Sequence, residues 1–346
     1  MIDTIRMKFF MTAQMRNRLK EASTLDALGI TIYSQKTFFI KPARGGKPIR
    51  IYFDMAKKTL GFECSLPKLL QGHNVCGSNK LESLCLAAIG LIYERLGLDF
   101  DDDEATIIQR KRIKLSRVDL ACSFPFNSMH EAQQAASVIA AHLMVSGESW
   151  AIEGKGGIET AYARKNSRRV TDKFYLKGKE VEKHKLPPEL QARDEICALA
   201  HRLLRFEVTY RAMELRRIGK EFERDLQYAD GWSIKTVKQL LRKRIEAFGF
   251  TGTIRERLES EKLTGLGRSA KTFYDLYEQG ADLSRKRSYA PLRKAREEIL
   301  AHGVDIFRAR DSERQLDLAV LLGSDRMKFG APRSLTSSGA IISFKT

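Results

Sequence analysis

Apolar and polar positions alternate with period two at several points in the first 210 residues. Ile2 to Phe10 alternates loosely, and Gly29 to Tyr33 reads as a strand. Thr37 to Lys41 and Pro48 to Phe53 read as a hairpin around Ala43-Arg44-Gly45-Gly46-Lys47. Leu115 to Phe124 and Leu203 to Tyr210 are further strands. Ile158 to Arg164 and Asp172 to Lys177 form a second hairpin across the basic loop Lys165 to Thr171. Two stretches between them change to helical spacing. Leu81 to Leu96 is one, followed by the acidic run Asp99 to Glu104, which reads as a solvated loop. The other starts at Ser128, an N-cap with Glu131 three residues on, and runs to about Val145.

Beyond residue 212 the period is helical. Val237, Leu240, Leu241, Ile245 and Phe248 line one helix face between Ser233 and Phe248. Ser269 to Gln279 and Pro291 to Ala301 are two more helices, with Pro291 suited to a first turn and Gly303 to a stop. The pattern predicts an α+β fold: an antiparallel-sheet domain over 1–212, a mainly helical basic domain over 213–325, and a loose Ser- and Gly-rich tail over 326–346.

Charge narrows the function classes. The chain has 346 residues, with 61 Lys and Arg against 43 Asp and Glu, for a net charge of +18. Counterion release rewards such an excess on a polyanion, so nucleic acid is the natural partner. The five cysteines include no C-x-x-C pair, which argues against a cysteine-rich zinc site and fits reduced thiols in a cytoplasm. Neither a signal peptide nor an apolar run long enough for a membrane span is evident. The phosphate-binding G-x-x-x-x-G-K-[ST] loop is missing too, so strand separation would need another protein.

Alternation along the strands places candidate chemistry on one face. Arg117 and Asp119 lie opposite Val118, Leu120, Cys122 and Phe124. Arg205, Glu207, Thr209 and Arg211 lie opposite Leu204, Phe206, Val208 and Tyr210. Lys173, Tyr175 and Lys177 lie opposite Phe174 and Leu176. In a shared sheet these would make a phosphodiester-transfer site. Carboxylates can hold a divalent metal, a tyrosine can attack phosphorus, and lysines stabilise the phenolate or phosphate. Spacing alone favours an ordinary antiparallel sheet with one solvated face. His73, after Gly72, is a candidate third metal ligand, or a loop or core histidine; His130 and His142 sit on a predicted helix and read as structural. Arg164, Lys165, Arg168 and Arg169 form a loop able to grip phosphates beside Tyr175.

Four segments occur in an order that resembles the gene II/X replication initiators of filamentous phages. They are Leu70-Gln71-Gly72-His73-Asn74-Val75, Leu115-Ser116-Arg117-Val118-Asp119, Tyr175-Leu176-Lys177 and Leu204-Arg205-Phe206-Glu207. Met1-Ile2-Asp3 and the stretch Thr272 to Gly303 are also similar, so the resemblance covers most of the chain to about residue 305. It implies a rolling-circle initiator that nicks the plus strand of circular phage or plasmid DNA at the origin. A 5′-phosphotyrosyl link would form at Tyr175, with Lys177 beside it, and rejoining would follow. The resemblance further implies kinship with HUH endonucleases, hence Mg²⁺ or Mn²⁺, for which His73, Asp119 and Glu207 are the candidate ligands although no H-x-H occurs. DNA contacts are expected from Arg117, Arg164, Lys165, Arg168, Arg169, Lys173 and Arg205. Implied partners are the replication origin and the host helicase, DNA polymerase and single-strand-binding protein in a bacterial cytoplasm. Assembly as a homo-oligomer on DNA is left open, and so is a role for Tyr162 as a second acceptor.

Three rivals are distinguishable. A non-catalytic origin-binding regulator would use the basic helices between Gly267 and Gly303 and would not cleave. A tyrosine recombinase would want H-x-x-R before its tyrosine, which no histidine here supplies, and would attach to a 3′ phosphate. A packaging protein would show low complexity rather than long patterned strands.

Overall fold

The computed structural model describes residues 1–21, 28, 30, 37–42, 47–145, 149–154, 157–248, 253–254, 264–278, 283, 288–307, 316–317, 322–323, 325–328 and 335. Nine strands form one antiparallel sheet. They are β1 (Ile2–Phe10), β2 (Thr37–Ile40), β3 (Ile49–Asp54), β4 (Thr59–Ser65), β5 (Lys114–Pro125), β6 (Ser149–Gly154), β7 (Gly157–Ala163), β8 (Val170–Leu176) and β9 (Leu203–Arg211). Their order across the sheet is β2-β3-β4-β1-β5-β9-β8-β7-β6. The N-terminal strand thus sits near the middle, between β4 and β5.

The helices with the sheet are α1 (Ala13–Arg18), α2 (Leu66–Gln71), α3 (Leu81–Arg95), α4 (Asp102–Arg110), α5 (Met129–Val145), α6 (Lys177–His184), α7 (Arg193–His201), α8 (Ala212–Glu221) and α9 (Ile234–Glu246). The predicted apolar face of β5, β8 and β9 packs into one core with Ile89 and Ile92 of α3, Ile139 of α5, Leu215 of α8 and Leu241 of α9. Phe174 and Phe206 meet there at 4.7 Å between centroids, with Phe248 edge-on to both. Each such pair adds about 0.5–1.5 kcal/mol beyond area burial. The N-cap expected at Ser128 forms, its hydroxyl accepting from the Glu131 amide, and Ser233 caps α9 by accepting from the Thr236 amide.

The acidic run is not a loop. Asp101 caps α4, accepting from the Glu104 amide at 2.8 Å, and Asp102, Asp103 and Glu104 occupy its first turn. Negative charge at a helix N-terminus is favourable, so the run starts a helix. By packing, α8 and α9 belong with the sheet, because Val237, Leu240, Leu241 and Ile245 sit in its core. A separate cluster joins α10 (Arg268–Glu278) to α11 (Ala290–Leu300) through Ala270, Tyr274, Leu292, Ala295 and Ile299. In the expected loose tail, Lys328 exchanges backbone hydrogen bonds with Ser123, and Arg326 donates to the Pro125 carbonyl. The expected strand Gly29 to Tyr33 and the turn Ala43 to Gly46 lie outside the described residues, apart from Ile30.

Candidate active site

Register decides what the polar face brings together. Tyr175 lies opposite Arg205, Lys173 opposite Glu207, and Asp119 opposite Thr209. Antiparallel partners on one face stand within side-chain reach. The Tyr175 hydroxyl donates to Glu207 Oε2 at 3.2 Å, while Lys173 Nζ pairs with Glu207 Oε1 at 2.8 Å. The Lys173 ammonium also lies 4.7 Å from the Tyr175 ring centroid, and that of Lys177 lies 5.8 Å away. Tyr175 is 6% exposed.

Lys177 is not a strand residue. β8 ends at Leu176, and Lys177 opens α6, wholly buried. Gly178 after it lets the start of α6 pack closely against the end of α7, since a Cβ there would come within 2.7 Å of the His201 ring. The Lys177 ammonium donates to Asn74 Oδ1 and Glu180 Oε2, both at 2.6 Å. Asn74 in turn donates to both oxygens of Asp3, which also accepts from the Ser65 hydroxyl at 2.6 Å. Lys68 closes the chain on Glu180 at 2.7 Å. Sequence reasoning does not single out Asp3, Asn74 or Glu180 as site residues. Their signal is faint: a lone acid in the apolar β1, and an asparagine after His73.

Several expected DNA contacts are structural instead. Arg205 is wholly buried; it donates to the carbonyls of Asn74 and Val75 and reaches Ser123 Oγ at 3.3 Å. It pins the segment after α2 against the polar face. Arg164 points to Asp172, on the opposite side of β8 from Tyr175, where Arg244 makes a two-pronged pair with the same carboxylate. Arg117 grips Asp119 with two bonds of 2.8 and 2.6 Å and also binds Glu63. Arg168 and Arg169 are exposed, and Lys165 lies over the Tyr162 ring at 5.2 Å. Tyr162 faces the same way as Tyr175, opposite Lys173 on β7.

Burial and neighbouring charge set the titration of the site. Burial first, and then the Glu207 charge, push the Tyr175 phenol well above its usual value, while Arg205 pulls it down. The expected ionising bias from the two lysines is outweighed. Burial and Glu207 also push Asp119 up to about 7, against the Arg117 hydrogen bond. Burial, reinforced by Arg205, lowers Lys177 to about 7 despite Glu180 and Asp3.

A pH prediction follows from Lys177. Unfolded, it titrates near 10.5; folded, near 7. Between those values the unfolded chain binds one more proton, so stability rises with pH across that window, by at most about 1.4 kcal/mol per unit. Lys177→Met should remove that slope in urea titrations at pH 7 to 10; an unaltered slope would mean that Lys177 is charged when folded.

His73 is wholly buried and its Nδ1 accepts from the Val75 amide at 3.3 Å. Among the described residues no three His, Cys, Asp or Glu side chains converge into a metal-holding group. Asp119 and Glu207 are already held by Arg117 and Lys173. The three expected ligands therefore do not form a ready-made metal centre.

Tyr175, Asp119, Glu207 and Lys173 share one sheet face, with Lys177 at the end of β8, and in a strongly basic chain this set is a candidate phosphoryl-transfer site. A family model for the N-terminal part of the phage replication-associated gene II protein matches residues 1–235, and the chain belongs to that family. This bears out the resemblance to gene II/X initiators. The replication-associated gene II protein of Enterobacteria phage I2-2 is 26% identical over 250 residues, covering 69% of this chain and 67% of its own. A solved rolling circle replication initiator protein from Geobacillus stearothermophilus aligns over 70% of this chain and 83% of its own, at 14% identity and a TM-score of 0.30. Among the described residues no helix is long and apolar enough to cross a membrane.

Proposed function

We propose that this replication-associated protein nicks one strand of circular DNA at an origin, starts rolling-circle replication, and later rejoins the strand. The observation that carries this reading is Tyr175, held with its hydroxyl on Glu207 and its ring beneath the Lys173 ammonium. In the forward step Tyr175 Oη bonds to phosphorus and the bond to the 3′ oxygen breaks. The phenolic proton passes to Glu207, and the leaving 3′ oxygen takes a proton from water. Lys173 balances charge on the phosphate as it enters. The bond energy is kept in the phosphotyrosyl ester, so attack by a 3′ hydroxyl reverses the step. The buried phenol has to be uncovered by the incoming strand, because only 6% of Tyr175 is accessible.

The test is incubation with supercoiled origin plasmid, resolved on denaturing gels. Open circles and a covalent 5′ adduct are expected; binding without cleavage would leave an origin-binding regulator. The expected Mg²⁺ or Mn²⁺ requirement is read in the same assay, and no step above depends on it. Loss of nicking in EDTA, restored by either ion, would mean that Asp119 and Glu207 exchange Arg117 and Lys173 for a cation. Full activity in EDTA would remove the metal.

A further inference from the structure

At the far end of the polar face, remote from Tyr175, the sheet carries an open groove of about 590 Å³. Its centre is a cross-strand row, Tyr52 on β3, Gly61 on β4, Lys8 on β1 and Lys114 on β5. Gly61 carries no side chain in this row, because a Cβ there would come within 2.7 Å of the Met7 carbonyl. Tyr52 is 48% exposed, an unusual position for a large aromatic, and the Arg50 guanidinium lies 5.1 Å from its ring centroid. Phe39 on the edge strand, opposite Arg50, is exposed as well. Lys8 and Lys114 face each other directly, and among the described residues neither forms an ion pair with a carboxylate. Like charges in that position destabilise a sheet unless an anion lies between them.

We infer that this groove binds single-stranded DNA, with a base stacked on the exposed Tyr52 ring and a phosphate between Lys8 and Lys114. An exposed aromatic interleaved with cations on an open sheet face is how sequence-tolerant single-strand binding works, because every base has a flat face and every link a charge. Duplex DNA gives Tyr52 no unstacked base. Lys114 lies nine residues along β5 from Ser123, which shares a row with Arg205 and Tyr175. At about 3.3 Å per residue and 4.8 Å per strand, Lys114 lies roughly 31 Å and Tyr52 roughly 38 Å from Tyr175. The groove is a second contact for a long displaced strand rather than part of the cleavage site. The link to a displaced strand rests on the proposed nicking function; single-strand binding itself does not.

The experiment measures the affinity of the full chain for a fluorescent, origin-free single strand of about 25 nucleotides, and for the duplex of the same sequence. Tyr52→Ala should weaken single-strand binding on the order of tenfold or more, Tyr52→Phe should keep it, and duplex affinity should not move. Substituting 5-iododeoxyuridine for thymidine should give a photo-crosslink that maps to Tyr52. Unchanged single-strand affinity in Tyr52→Ala, an equal loss for duplex, or crosslinks confined to other segments would each overturn the inference. Failure of the wild-type chain to nick plasmid would sink the proposed function and leave these readouts intact.

Discussion

Tyr175→Phe is expected to abolish nicking and covalent attachment together while leaving the fold and DNA affinity in place. The substitution removes one oxygen. The ring stays between β7 and β9, and Glu207 keeps its ion pair with Lys173. A single lost hydrogen bond costs about 1 kcal/mol of stability, within reach of a protein of this size. Loss of a nucleophile removes the chemical step itself, so the rate should fall by on the order of 10⁴ or more. Denaturing gels of origin plasmid, followed by peptide mapping of any adduct, decide the matter. Tyr162→Phe is the control and should still cleave. A Tyr175→Phe protein that formed a 5′-phosphotyrosyl adduct would move the nucleophile to Tyr162, which shares its sheet face.

The second large effect concerns stability rather than chemistry. Arg205→Met should cost on the order of 3–5 kcal/mol, because it strips partners from buried groups without returning them to water. The Asn74 and Val75 carbonyls lose their donors, and the buried Asp3 and Glu207 lose a neighbouring positive charge. Urea unfolding followed by circular dichroism gives the number. A variant as stable as the wild type but weak on DNA would return Arg205 to the role of a phosphate contact.

What is legible in advance follows from what is local. Period-two alternation names both faces of β5, β8 and β9, and it puts Tyr175, Lys173 and Glu207 on the same side. It cannot say that Tyr175 and Glu207 touch, because that depends on the register between β8 and β9. Arg205 escapes for a similar reason. Its strand alternates like one with a solvated face, yet the segment after α2, some 130 residues earlier in the chain, covers that face. Lys177 continues the alternation of β8 without a break, yet the strand has already ended at Leu176 and Lys177 opens α6. The helix α4 has a legible signal that a charge-run reading passes over: Asp101 followed by Glu104 has capping-box spacing.

The position of β1 bears on how the chain is made. Residues 2–10 pair on one side with β4, some 55 residues on, and on the other with β5, more than 100 residues on. A ribosome adding about 5–20 residues per second emits β1 several seconds before β5 exists to pair with it. During that interval β1 to β4 present a hydrophobic strand with unpaired backbone groups, a template for association with other nascent chains. The junction between β1 and β5 therefore cannot close until residues 114–125 have been made. Yield from a cell should depend on translation speed through residues 66–113 and on chaperones that shield strand edges, more than on the stability of the finished protein.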